Sequence, residues 1–230
     1  MFIDHMGAAV LEPAGFYTTA IPLRIIGRMA FPIFIFLLIE GFFHTHDRKA
    51  YALRLFLFAL LSEIPFNLAF FPVSPDLSGS RISVSDHQNV ILTLFFGFCV
   101  MCAIDAMEQT TADRLIKSIA MCIIAVAGIG AGFLCHTDYS GIGVLAILVG
   151  YLIRRMGRSR ILAFFLIVLV LCLSSFIEAF ALLSLIPVAF YKGKKGRTIN
   201  KWFFYFFYPA HILFLWAFRV FVFMPFLLPK

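Results

Sequence analysis

Residues 25–45 read IIGRMAFPIFIFLLIEGFFHT, from Ile25 to Thr45. The run is apolar for long enough to cross a bilayer, because about 20 helical residues at 1.5 Å each span roughly 30 Å of hydrocarbon. Yet it opens with Gly27 and Arg28, carries Pro32 inside, and closes on Glu40, His44 and Thr45. A span that only had to sit in lipid would carry none of these. A charge at bilayer depth costs about 2.5–3.5 kcal/mol on insertion scales, so it faces a cavity or a partner. The segment reads as the second transmembrane helix, with one wall lining a site.

The rest of the chain agrees with a membrane setting. Of its 230 residues, 62% are hydrophobic and only 13% charged, and the mean hydropathy is +0.98. Soluble domains carry about a quarter charged residues. The alternation expected of barrel strands is missing, so the fold class is all-α: a polytopic transmembrane helix bundle forming a single domain over residues 1–230. The net charge of +7 belongs to cytoplasmic loops beside membrane lipids rather than to a nucleic-acid interface. Cys99 and Cys102 form a CxxC inside an apolar stretch with no other ligand nearby. They read as polarizable packing residues, and no metal is expected.

Nine spans follow in order. The first, Met1–Leu11, is too short to cross and either enters partway or lacks its first half. The second is the opening stretch, the third Ala50–Phe71, the fourth Val90–Met107. The fifth ends at Leu134, the sixth is Ser140–Ile153 and the seventh Ile161–Leu173. The eighth, Phe176–Tyr191, is separated from the seventh only by Ser174-Ser175, and the two could form one hairpin of short helices. The ninth runs from Trp202 to about Phe223. The turns after spans two, four, six and eight carry most of the arginines and lysines, including Arg154, Arg155, Arg158 and Arg160, then Lys192, Lys194, Lys195 and Arg197. By the positive-inside rule these turns face the cytoplasm, which puts the N-terminus inside and Lys230 outside.

The polar residues then sort by depth. His5 is the candidate general base for an amine or hydroxyl nucleophile, since histidine titrates near neutral pH. Asp4 is its neighbour in sequence, but adjacent helical residues point about 100° apart, so Asp4 should pair across helices, with Arg28 or Arg24. The competing reading is a buried Asp–Arg pair beside a histidine that only packs. Glu63 and Asn67 flank Pro65 at helical spacing. Glu63 lies too deep for a solvated face, so it joins the catalytic candidates, with Arg28 as its expected partner. Gln88 and Asn89 either cap span four or offer their amides to a polar acceptor at the outer mouth. Glu40 and His44 share one helical face near the cytoplasm, suited to a donor entrance or to a solvated helix end. His211 stands among aromatic residues and reads as a packing histidine. His136 and Asp138 read as exposed loop residues without a role.

Four stretches carry a resemblance. DHMG (Asp4–Gly7), IGRMAFPIFIFLLIEGFFHT (Ile26–Thr45), RLFLFALLSEIPFNLAF (Arg54–Phe70) and QNVILTLFFG (Gln88–Gly97) resemble the TraX family, and DYSGIGVL (Asp138–Leu145) extends the match. The founding member of that family is implicated in N-acetylation of conjugative pilin. The family is distantly similar to transmembrane acyltransferases of the heparan glucosamine acetyltransferase type, in which a histidine near the end of the first helix precedes a helix with a G…FP.F…G pattern. His5 followed by Gly27 to Gly41 has that order. The resemblance implies acetyl-CoA as donor, used from the cytoplasm, and an acceptor reached from outside: a pilin-like amine, or a surface glycan or lipid group. Together with the residue reading above, the catalytic candidates are His5, Asp4 and Glu63, and the candidates for acceptor or donor contacts are Arg28, Gln88, Asn89, Glu40 and His44. TraX chains carry about ten more apolar residues before the DH pair than stand here. Two other functions fit the composition: an ion- or proton-coupled transporter using Asp4, Arg28 and Glu63, and a non-catalytic membrane assembly subunit.

Overall fold

The computed structural model describes residues 1–71, 87–191 and 200–227. The basic residues Lys192, Lys194, Lys195 and Arg197 lie outside the described residues. Helix α1 (Phe2–Met6) runs into a π-helical turn at Gly7–Leu11. α2 (Tyr17–Gly27) is followed after two residues by α3 (Ala30–His44). Then come α4 (Arg48–Phe70), α5 (Val90–Glu108), α6 (Arg114–Leu134), α7 (Ser140–Arg155) and α8 (Arg160–Leu171). A 3₁₀ segment (Phe176–Ser184) leads into α9 (Leu185–Ala189). α10 (Lys201–Phe218) continues through a π-turn (Arg219–Phe223) into α11 (Met224–Leu227). No strand occurs among the described residues, only an isolated bridge between Gln88 and Thr137.

These elements form nine apolar helical segments among the described residues, the all-α bundle expected. Five are long and apolar enough to cross a membrane: Tyr17–His44, Arg48–Phe70, Val90–Glu108, Arg114–Leu134 and Trp202–Leu227. The others are shorter. α7 has 16 residues, or about 24 Å of rise, and α8 has 12. The seventh and eighth spans of the sequence reading are too short to count among these five; of the two readings left open for them, the hairpin of short helices is the one found, at α8 and the 3₁₀–α9 segment.

The second span is longer than its sequence reading. It begins at Tyr17 rather than Ile25, because Pro22 sits inside α2 without ending it. Arg28, expected near the outer end, therefore stands near the middle of a 28-residue apolar stretch, at the two-residue joint between α2 and α3.

α7 is the hub of the bundle and packs against α3, α5, α6 and α8. Its Val144, Ile147 and Tyr151 meet Phe31, Ile35, Ile39 and Phe42 of α3 and Phe98 and Met101 of α5 in one buried cluster. Apolar burial gains little between helices surrounded by lipid, so close van der Waals fit and interhelical hydrogen bonds must hold the bundle. Arg219 supplies such bonds. Its fully buried guanidinium donates to Ala9 O and Ala69 O, each at 2.6 Å, and to Leu68 O at 3.1 Å. It thereby ties the last helix to the first and fourth.

Among the described residues the basic turns gather at one end. There Arg154 and Arg160 hold Glu40, Arg155 meets Glu108, and Arg48 meets Asp105 at 2.6 Å. The opposite end brings together the C-terminus of α4, the start of α5, the start of α7 and the 3₁₀ segment. The candidate site lies there.

Candidate active site

A cavity of about 480 Å³ opens at the end opposite the basic turns. α1 contributes Asp4 and His5, α2 contributes Arg24 and Gly27, the α2–α3 joint contributes Arg28, and the 3₁₀ segment contributes Glu178. His87, Asp138 and Tyr139 stand around the mouth, and Phe31, Phe66, Phe70 and Phe71 supply an apolar wall. α1 can approach α2 this closely because residue 27 is glycine: a Cβ there would collide with Cβ and Cγ of Asp4.

Arg28 is the centre of the charged network. Its Nη2 donates to both oxygens of Asp4, each at 2.8 Å, and its Nη1 donates to Glu178 Oε1 at 3.1 Å and to the Tyr139 hydroxyl at 3.4 Å. Arg24 adds a second cation, 3.1 Å from Asp4 and 3.4 Å from Glu12. The expected pairing of Asp4 across helices is thus what the structure shows, and it involves both arginines. Glu178 is 2% exposed, and its Oε2 is buried without a hydrogen-bond partner. Asp138 is open to the cavity, yet the protein enclosing that cavity pushes its carboxyl up to about 6, against the pull of Arg28. The Tyr139 phenol is driven well above its ordinary range by burial, again opposed by Arg28.

His5 lies in the same wall, and its partner is histidine. Nδ1 of His5 is 2.8 Å from Nε2 of His211, with the rings nearly coplanar at 5°. His211 Nδ1 lies 2.6 Å from the Phe207 carbonyl oxygen. Tyr208 and Phe70 stand edge-on to the His5 ring.

Of the residues singled out in the sequence, Asp4, His5 and Arg28 therefore meet in one site. The other candidates, Glu63, Gln88, Asn89, Glu40 and His44, do not line it. Glu63 takes 2.8 and 2.5 Å hydrogen bonds from the amides of Asn67 and Asn89. Its expected partner, Arg28, is instead committed to Asp4 and Glu178, because the longer second span carries Arg28 away from the α4–α5 contact. Asn89 is fully used: its Oδ1 caps Ile91 N, and its amide bonds Ala59 O and Glu63. Gln88 is buried, with its backbone N–H donated to His136 O. Glu40 and His44 lie at the basic end. Glu40 is held by Arg154 at 2.8 Å and Arg160 at 3.3 Å, and His44 Nδ1 is hydrogen-bonded to the Glu40 carbonyl. A second hollow of about 450 Å³ at that end is lined by Arg48, Lys49, Asp105, Gln109 and the thiols of Cys99 and Cys102. No three His, Cys, Asp or Glu among the described residues come together as metal ligands.

Three residues of the cavity wall, Glu178, Asp138 and Tyr139, and His211 behind it, escaped the sequence reading. His211 sits in an aromatic run, and nothing in its neighbourhood points to residue 5. Glu178 looks like one more acid in an outer loop, although a lone carboxylate in the apolar run FIEAFALL was a usable signal. Asp138 and Tyr139 looked like plain loop residues.

No solved structure matches the chain. A probable fimbrial assembly protein, FimC of serogroup H1, from Dichelobacter nodosus is 27% identical over 237 residues, covering 96% of this chain and 92% of that protein. The family model described as TraX protein matches residues 1–219, a stretch that takes in every residue of the cavity wall. The chain belongs to the TraX family.

Proposed function

We propose that this protein is a membrane-embedded acetyltransferase that moves an acetyl group from acetyl-CoA to an amine or hydroxyl acceptor. One observation carries the reading: His5 stands in the wall of a polar cavity beside the Asp4–Arg28–Glu178 network. Attack on a thioester requires that a proton leave the nucleophile, and a positioned histidine contributes about 10²–10⁴ in rate to such a step. Arg28 is held from both sides by carboxylates and keeps the wall fixed around His5.

The positive-inside rule orients the molecule in a bacterial inner membrane, with the basic turns toward the cytoplasm, the N-terminus inside and the C-terminus outside. Acetyl-CoA is then supplied from the cytoplasmic side, where arginines and lysines favour its phosphates, with the thioester end reaching into the bundle toward His5. The acceptor enters the cavity from the outer side. Membership in the TraX family, and a relative named for fimbrial assembly, favour a pilus subunit as acceptor over a surface glycan or lipid.

The test is transfer of labelled acetyl from acetyl-CoA to candidate amines and sugars by purified protein. His5→Ala should abolish transfer while expression and acetyl-CoA binding stay nearly intact. Turnover by His5→Ala at the wild-type rate would falsify the assignment. The buried Asp4–Arg28–Glu178 network also suits an ion- or proton-coupled transporter. Cation-driven uptake by proteoliposomes that show no acetyl transfer would favour that second reading.

A further inference from the structure

We infer that His211 is a positioning residue, which fixes the tautomer of His5 so that Nε2 of His5 is the nitrogen that accepts a proton. The inference rests on the acetyltransferase reading for its use, but its physical content stands apart from it.

A backbone carbonyl oxygen can only accept a hydrogen bond. The Phe207 oxygen, 2.6 Å from Nδ1 of His211, therefore requires a proton on that nitrogen. A neutral imidazole has one N–H, so Nε2 of His211 is left with its lone pair. The nitrogen facing it at 2.8 Å is Nδ1 of His5, which must supply the proton between them. The near-coplanar rings direct the Nδ1–H of His5 along that lone pair. In neutral His5 the lone pair then falls on Nε2. One carbonyl on α10 thus determines, through His211, which nitrogen of a side chain 206 residues away is basic.

Burial keeps the arrangement in place. His211 is 5% exposed and stacks on Phe207 with ring centroids 4.8 Å apart. His5 is flanked by Phe70 and Tyr208. Asp4 does not share this duty, since both its oxygens are committed to Arg28 and Arg24.

In acetyl transfer the proton of the acceptor N–H or O–H passes to His5 Nε2. The electron pair it leaves behind forms the bond to the acetyl carbonyl carbon. The carbon–sulfur bond breaks, its pair departs on the CoA sulfur, and that thiolate takes the proton back from Nε2. While His5 is an imidazolium, its Nδ1–H remains bonded to His211, so the charge forms against a lone pair already in place. A wrong tautomer would present N–H where the lone pair is needed. Loss of the tautomer-setting partner in a serine protease triad costs about 10⁴ in kcat.

The experiment is nitrogen-15 NMR of histidine-labelled protein in detergent or nanodiscs, at a pH where both rings are neutral, with His5→Gln used to assign the His5 signals. The expected wild-type result is a proton on Nδ1 of both His5 and His211. His211→Leu removes the acceptor and should shift His5 toward the Nε2–H form. His211→Gln, whose amide oxygen can take the place of Nε2, should preserve the wild-type form and show that the site still folds. In the transfer assay His211→Leu should lose about 10²-fold or more in kcat with little change in acceptor KM, and His211→Gln should recover most of it. A wild-type His5 protonated on Nε2, or a His5 tautomer unchanged in His211→Leu, overturns the inference. Wild-type tautomers as expected in a protein that transfers no acetyl group would overturn the enzymatic reading and leave the tautomer assignment supported.

Discussion

A single guanidinium nitrogen of Arg28 lies 2.8 Å from each carboxylate oxygen of Asp4, while the other terminal nitrogen reaches Glu178. Arg28 thus joins the first helix to a segment 150 residues further on. Neither carboxylate is solvated enough to stand alone at that depth. Removing one member of a buried ion set costs about 3–5 kcal/mol, because the charges left behind lose their partner.

Arg28→Leu should therefore lower the thermal unfolding temperature sharply and destabilise by about 3–5 kcal/mol. Asp4→Asn should cost less, about 1–3 kcal/mol, because Glu178 still holds Arg28. The check is thermal unfolding of both variants in the same detergent. An Arg28→Leu protein as stable as wild type would mean that the network does not hold the bundle.

Glu63 should behave as a structural staple. Glu63→Leu removes one of the two acceptors of each of the Asn67 and Asn89 amides, at about 1–3 kcal/mol for each N–H left unsatisfied. A Glu63→Arg, Arg28→Glu exchange should recover nothing, since the two residues share no bond. Double-mutant-cycle unfolding measures this directly, and a coupling above about 1 kcal/mol would contradict the pairing described above.

Gly27→Ala tests the approach of α1 to α2. The added methyl collides with Asp4, so one helix must shift. A cost of about 1–3 kcal/mol is expected for such overpacking, with loss of the Asp4–Arg28 geometry. Gly15, with open space around its missing Cβ but a φ of +86°, should tolerate Asn better than Ala, because Asn is the more at ease in that backbone region. Stability and acetyl transfer, measured side by side, separate the two sites.

Asp138 gives the molecule a pH signature. An unperturbed aspartate titrates near 4, whereas here the carboxyl is raised to about 6. The folded state then binds more protons than the unfolded chain between those values, so this group makes stability fall as pH rises from about 4 to 6. Asp138→Asn removes that fall. The variant should unfold at a higher temperature than wild type at pH 7.5, and the gap should close at pH 4. An equal gap at both values would rule out the raised carboxyl as its source.

Much of this was legible in the sequence for reasons that differ element by element. α3 announces itself because a long apolar run can be satisfied only by a helix in lipid. The Asp4–arginine pairing followed from the cost of a lone charge at depth together with helical geometry. The eight residues before Ile25 were missed because threonines and Pro22 imitate a loop, although α2 continues through them. That offset moved Arg28 away from Glu63. The partnership of His5 with His211 is separated by 206 residues, and no local pattern encodes such a contact. Glu178 depended on knowing which helix ends share a mouth, which is a property of packing alone.

The buried guanidinium of Arg219 has a bearing on how the protein comes into being. It clasps carbonyls of residues 9, 68 and 69, and the same terminal helix delivers His211 to His5. A nascent chain holding only its first eight segments owns the arginine cage around Asp4 but lacks both the clasp and the second imidazole. Both the Arg219 clasp and the His5–His211 bond can therefore form only after the last helical segment has been made.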